Sequence, residues 1–60
     1  MENLNAMLGP GMFVRHPTEP EWGLGQVQSC IGWRVTVNFE HIGKVVIDGR
    51  TVALALEFDP

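Results

Sequence analysis

The chain has 60 residues, with four Lys+Arg against seven Asp+Glu and a formal net charge of -3. Hydrophobic residues make up 45% and charged residues 18%, which is a globular composition and not a disordered one. This length allows one domain, and the acidic balance removes the electrostatic footprint of a protein that wraps DNA or RNA.

The longest apolar run, Val52 to Leu56, is far too short to span a bilayer. Met1 to Asn5 has neither a basic n-region nor a long apolar stretch, so no secretory signal is expected. The single cysteine, Cys30, cannot make an internal disulfide, and no spacing suggests a metal framework. The expectation is a cytoplasmic, reduced protein with no cofactor. So small a core barely offsets chain entropy, so the fold must be compact or pair its edges with a partner or a second copy. It leaves little room for an enclosed active site of roughly 300–1,000 Å³, and no enzymatic activity is expected.

In chain order, Leu4, Met7 and Leu8 could form one helical turn, but helices this short are marginal in water, and residues 1–10 are expected to be a flexible segment. Gly9-Pro10-Gly11 resets the backbone, and residues 11–60 form the domain. From Met12 the pattern has period two. Met12 and Val14 share one face, Phe13 and Arg15 the other, and His16-Pro17 ends this first strand. Residues 17–21 read as a polar loop stiffened by two prolines.

A second strand is predicted from Leu24 to Ile31, with Gly25, Val27 and Ser29 on one face and Gln26, Gln28 and Cys30 opposite. Glycine in a strand marks a bulge or a sharp bend. Gly32 turns into the clearest element, Trp33 to Glu40. There Trp33, Val35, Val37 and Phe39 alternate with Arg34, Thr36, Asn38 and Glu40, the pattern of a half-buried antiparallel strand. His41-Ile42-Gly43 is the next turn, and Lys44 to Asp48 a fourth strand. Asp48-Gly49 predicts a turn because both residues tolerate positive φ. Thr51 to Leu56 reads either as a fifth strand or as a single turn followed by one; periodicity does not separate these. Five short strands in a chain too small for a sandwich point to an all-β fold, a small, strongly bent barrel.

Val14-Arg15-His16-Pro17, Trp22-Gly23-Leu24-Gly25-Gln26-Val27, Arg34-Val35-Thr36-Val37-Asn38-Phe39 and Gly43-Lys44 form a series. It resembles the C-terminal extension of UvrD/PcrA-type helicases, where V-x-H-x-x-[FW]-G-x-G-x-V is followed by V-x-V-x-F and G-x-K. The series is similar, more loosely, to the RNA-polymerase-interacting domain of CarD-type regulators. The chain as a whole looks most like a family of short bacterial proteins of unknown function. The resemblance spans Gly11 to Glu57 and implies a Tudor-like, SH3-like barrel that docks on protein, with RNA polymerase as the implied partner. The chain departs from the helicase pattern in being free-standing, in its longer acidic segment from Pro17 to Glu21, and in its fewer basic residues.

Gly23-x-Gly25 is not a phosphate loop, because a strand and not a helix follows it. Cys30 with His16 and His41 does not make a metal site or a thiol nucleophile without further converging groups, and Cys30 is read as a plain residue on an outward face. The carboxylates have no spacing that argues for acid–base chemistry. The aromatics are the stronger lead. In barrels of the resembled class the loop between strands one and two and the loop between three and four form a binding surface. An aromatic cage for a methylated cation needs three or four rings together, and this chain has no tyrosine. Trp22 is the expected anchor, or else a lid packed on Gly25 and Val37.

The sequence reading is therefore a non-catalytic protein-interaction module. Its expected contact surface is His16, Glu19, Glu21, Trp22, Phe39, Glu40 and His41, with the carboxylates facing basic groups. One alternative is a nucleic-acid binder, which requires Arg15, Arg34, Lys44 and Arg50 to converge on one face. The other is a structural subunit that homo-oligomerises, for which strand addition at an exposed edge is the natural mode.

Overall fold

The computed structural model describes residues 8–58. Five strands form one antiparallel sheet: β1 (Phe13–Arg15), β2 (Gly25–Ile31), β3 (Arg34–Phe39), β4 (Gly43–Asp48) and β5 (Ala55–Glu57). Their order is β4-β3-β2-β1-β5. The first four strands make a meander, and the chain then returns to lay β5 against the free side of β1. The fold is thus all-β and barrel-like, as its alternating pattern requires. No described helix is long and apolar enough to cross a membrane.

The inner face carries the core, which is Val14, Val27, Val35, Val37, Phe39, Ile47 and Leu54. Every strand from β1 to β4 contributes, at alternate positions, as a sheet with one buried face demands. Burial of each such side chain contributes roughly 1.5–3 kcal/mol. Leu8 and Met12 pack against the same cluster. Among the described residues, core packing thus extends back to Leu8. The rest of the helical turn weighed for the N-terminus lies outside the described residues.

Gly25 explains how β2 crosses the core so closely. A Cβ there would stand 2.6 Å from Val37 Cγ1 and 2.7 Å from the Phe39 ring. Only glycine leaves those side chains room.

Three local expectations need correction. The first concerns β2, whose register shifts between Val27 and Ser29: Val27 pairs with Val37, but Ser29 pairs with Thr36 and Cys30 with Val35. This bulge inserts one residue and reverses the facing of everything after it. Cys30, expected on the outward face, instead packs against the core beside Val35.

The second concerns Asp48-Gly49. The turn forms, but neither residue has positive φ. The Asp48 side chain shapes it instead: Arg50 N donates to Asp48 Oδ1 at 2.9 Å, while Thr51 N and Val52 N each donate to the Asp48 carbonyl at 3.1 Å. Asp side chains stabilise turns this way without left-handed backbone. Of the two readings for residues 51–56, the structure has the turn followed by the short strand β5.

The third concerns the proline-rich loop. Pro20–Trp22 is a turn of 3-10 helix. Pro20 supplies a preset φ at its start, and Gly23 N closes it by donating to Pro20 O at 3.2 Å.

Candidate functional site

Two loops are joined at one end of the barrel, the long β1–β2 connection and the short β3–β4 turn. Glu40 N donates to Leu24 O at 2.9 Å, and His41 N donates to Trp22 O at 3.2 Å. Glu40 answers with its side chain, Oε1 accepting from Leu24 N at 2.8 Å. The β3–β4 turn thus extends the pairing of β2 and β3 past the strand ends. Gly23 lies beneath this seam at φ +80, where a Cβ would meet His41 Cδ2 at 2.6 Å and Glu40 Oε1 at 2.9 Å.

The rings stack across the seam in series. His16 meets Trp22 edge-on with centroids 4.6 Å apart, and Trp22 meets Phe39 edge-on at 5.2 Å. Such geometry places the positive edge of one ring against the negative face of the next. His16 is held at its other side by Thr18, whose N–H donates to His16 Nδ1 at 3.2 Å. Trp22 is half-buried and packs on the core, so it is a lid over the barrel end with one side left to solvent. Phe39 is 2% exposed. It was expected among the contact residues, and burial removes it: its place is under Trp22, as the support of the surface and not part of it.

Glu19 caps the start of the 3-10 turn and Glu21 lies within it, one on each side of Pro20. Their carboxyls share a hydrogen bond and repel as charges, and the two effects raise the Glu19 pKa above its ordinary value. Glu21 is lowered, first by that hydrogen bond, then by its own backbone N–H, with a smaller contribution from the charge of His16. A paired carboxylate rim of this kind gains when a cation approaches it.

Beside the seam lies an open depression of about 330 Å³, lined by Phe13, Leu24, Gly25, Gln26, Asn38, Phe39, Glu40 and Gly43. The one carboxylate in its lining, Glu40, is already engaged with Leu24 N–H. The lining has no nucleophile set against a base, the arrangement that hydrolytic or transfer chemistry needs. His16 and His41 gather at this end, while Cys30 pairs with Val35 further along β2. No group of three or more His, Cys, Asp or Glu among the described residues is placed to hold a metal ion.

The basic residues divide. Arg34 and Arg50 converge on Trp33, their guanidinium carbons 5.7 Å and 3.9 Å from its ring centroid. Arg50 also forms a two-pronged contact with Asp48, Nε to Oδ1 and Nη2 to Oδ2, each 3.0 Å. Those bonds lower the Asp48 pKa and raise that of Arg50. Arg15 lies instead on β1 against Glu57, Nε to Oε2 at 3.6 Å. Lys44 is paired with Asn38 and Arg34 with Asp48, a separation of ~13 Å along the ladder at a strand's rise. Of the four cations whose convergence the nucleic-acid alternative requires, two therefore meet at Trp33 and two lie elsewhere. The Trp33–Arg50 stack escaped the sequence reading. Its only linear trace is the Asp48-x-Arg50 spacing, and the fold alone brings the 32–33 hairpin tip beside the 49–51 turn.

Comparison with known proteins places these features in a family without assigning them a role. No curated protein and no solved structure matches the chain. A family model described as "Protein of unknown function (DUF3553)" matches residues 8–56, from the first described residue to a point within β5. By that match, over most of its length, the chain belongs to the DUF3553 family.

Proposed function

We propose that this domain is a non-catalytic docking module whose contact surface is the joined-loop end of the barrel: His16, Glu19, Glu21, Trp22, Glu40 and His41. The observation that carries this reading is the ring series centred on Trp22. A large aromatic surface is clamped by His16 and Phe39 beside a rim of carboxylates. A clamped aromatic loses little conformational freedom on binding, and charged neighbours set the register of the encounter.

The chemistry of the partner follows from the rim. Glu21 opposes the ionisation of Glu19, and a Lys or Arg set between the two carboxyls relieves that conflict. A basic protein surface with an apolar pocket for the exposed side of Trp22 fits both features. The resemblance to helicase extensions and CarD-type domains makes RNA polymerase, or the transcription and repair machinery around it, the partner to test first. The nucleic-acid reading has two convergent cations in place of four, and one of those two is neutralised by Asp48.

The test is binding of purified bacterial RNA polymerase to the immobilised domain. Charge reversal by Glu19→Lys with Glu21→Lys, at positions outside the core, is expected to abolish capture while the circular dichroism spectrum stays unchanged. Equal capture by the wild type and the double variant sinks the acidic-rim reading.

A further inference from the structure

The sheet ends at β4. It pairs with β3 along its whole length, and no strand among the described residues pairs with its other side. The backbone direction along this edge follows from one bond. Gly49 N donates to Trp33 O at 2.6 Å, so Gly49 turns its polar groups toward β3. Directions alternate along an antiparallel strand. Ile47, Val45 and Gly43 therefore also face β3, whereas Asp48, Val46 and Lys44 are turned to the open edge; Val46 and Lys44 present both N–H and C=O there, and Asp48 its N–H, since its carbonyl accepts from Thr51 N and Val52 N. The same three residues put their side chains on the outer face of the sheet, where Val46 is 58% exposed.

We infer that this edge binds a second copy of the chain, β4 against β4 in antiparallel register centred on Val46. Charge and the exposed valine together select the occupant and the register. With Val46 opposite its own counterpart, each Lys44 lies opposite an Asp48, whose carboxylate it would share with Arg50, and opposite charges across a strand pair attract. Moving the centre to Lys44 or to Asp48 sets like charges face to face. Moving it to Val45 or Ile47 leaves a charge opposite valine. Only the Val46-centred register pairs ammonium with carboxylate, covers the exposed valine with valine, and lets the two Val46 residues exchange N–H···O=C bonds while Asp48 N–H meets the Lys44 carbonyl. The arrangement is two-fold symmetric, the commonest form of homo-oligomer. A single strand pair is a small interface, so the dimer is concentration-dependent. β5, the other edge of the sheet, offers only three residues.

The inference is independent of the docking reading, and its test uses no partner. Sedimentation of the full chain from about 10 μM to about 1 mM, the range suited to a small interface, is expected to show a monomer passing into a dimer. Amide exchange should slow with concentration at Val46 and Asp48, whereas Val45 and Ile47, bonded to β3, should be protected throughout. Val46→Lys sets two ammonium groups against each other at the symmetry axis, and Lys44→Glu sets carboxylate against carboxylate. Each is expected to weaken the dimer by ~10-fold or more with the fold intact by circular dichroism. A chain that stays monomeric over the whole range overturns the inference. So does a dimer that either folded variant leaves equally strong, or one that forms without slowing exchange at Val46.

Discussion

Trp22 stands edge-on to Phe39, their ring centroids 5.2 Å apart and their planes at 65°. Phe39 belongs to the core, and Trp22 to the loop that carries Glu19 and Glu21. This contact fixes the loop to the sheet. The same tryptophan thus bears on stability and on recognition, and a test of one must control for the other.

Replacing Trp22 removes the lid. Trp22→Ala is expected to cost about 2 kcal/mol, below the 3–5 kcal/mol of a fully buried aromatic because one side of the ring is already wet. Trp22→Phe should recover most of the loss. Urea midpoints for the three proteins measure this, and an unchanged midpoint for Trp22→Ala rules out the lid.

The two glycines at the loop's end should fail for different reasons. Gly25→Ala drives a Cβ to 2.6 Å from Val37 Cγ1, and overpacking of that kind costs about 1–3 kcal/mol or more. Gly23 has φ 80 and ψ -163, a region almost exclusive to glycine, so Gly23→Ala costs about 1–3 kcal/mol from the backbone alone. His41→Ala should relieve part of the Gly23→Ala defect by removing the clashing ring, and none of the Gly25→Ala defect. Thermal unfolding of the singles and doubles separates the two.

The Asp48–Arg50 contact predicts a direction for acid sensitivity. Arg50 lowers the Asp48 pKa below its ordinary 3.8, so the unfolded chain takes up the proton more readily than the folded one. The stabilisation is therefore present above pH 3.8 and is lost as pH falls through the lower folded value. Arg50→Gln should be less stable than wild type near neutrality, and the difference should close as the pH falls below that range. A gap that persists in acid would assign the effect to Arg50 packing on Trp33 instead.

Glu19 and Glu21 should titrate as a pair. In the wild type the Glu19 carboxyl is expected to titrate above its ordinary 4.5. In Glu21→Gln the carboxyl–carboxylate hydrogen bond and the like charge are both gone, and Glu19 should move back toward that value. Carboxyl carbon shifts followed by NMR report this directly. A Glu19 value that does not move would mean that Glu21 is not its opponent and that the rim has no built-in demand for a cation.

Much of this protein was decided by its linear pattern. Trp33 to Glu40 alternates so regularly that one face had to be buried, and Val35, Val37 and Phe39 are where that alternation puts them. Side-chain direction in a strand is a local property, since each residue reverses the one before it. Gly25 was legible for the same kind of reason: a missing side chain in an apolar strand signals something pressing close.

What escaped was whatever depends on residues distant in the chain. The bulge after Val27 turned Cys30 inward, and nothing in the residues from Val27 to Ser29 announces an extra residue whose only cause is the fit to β3. The seating of Trp22 on Phe39, the seam from Leu24 to Glu40, and the stacking of Arg50 on Trp33 each join segments that meet only once the sheet has curled. Periodicity sets which way a side chain faces, but strand pairing and loop closure set what it faces, and those were decided by the tertiary structure alone.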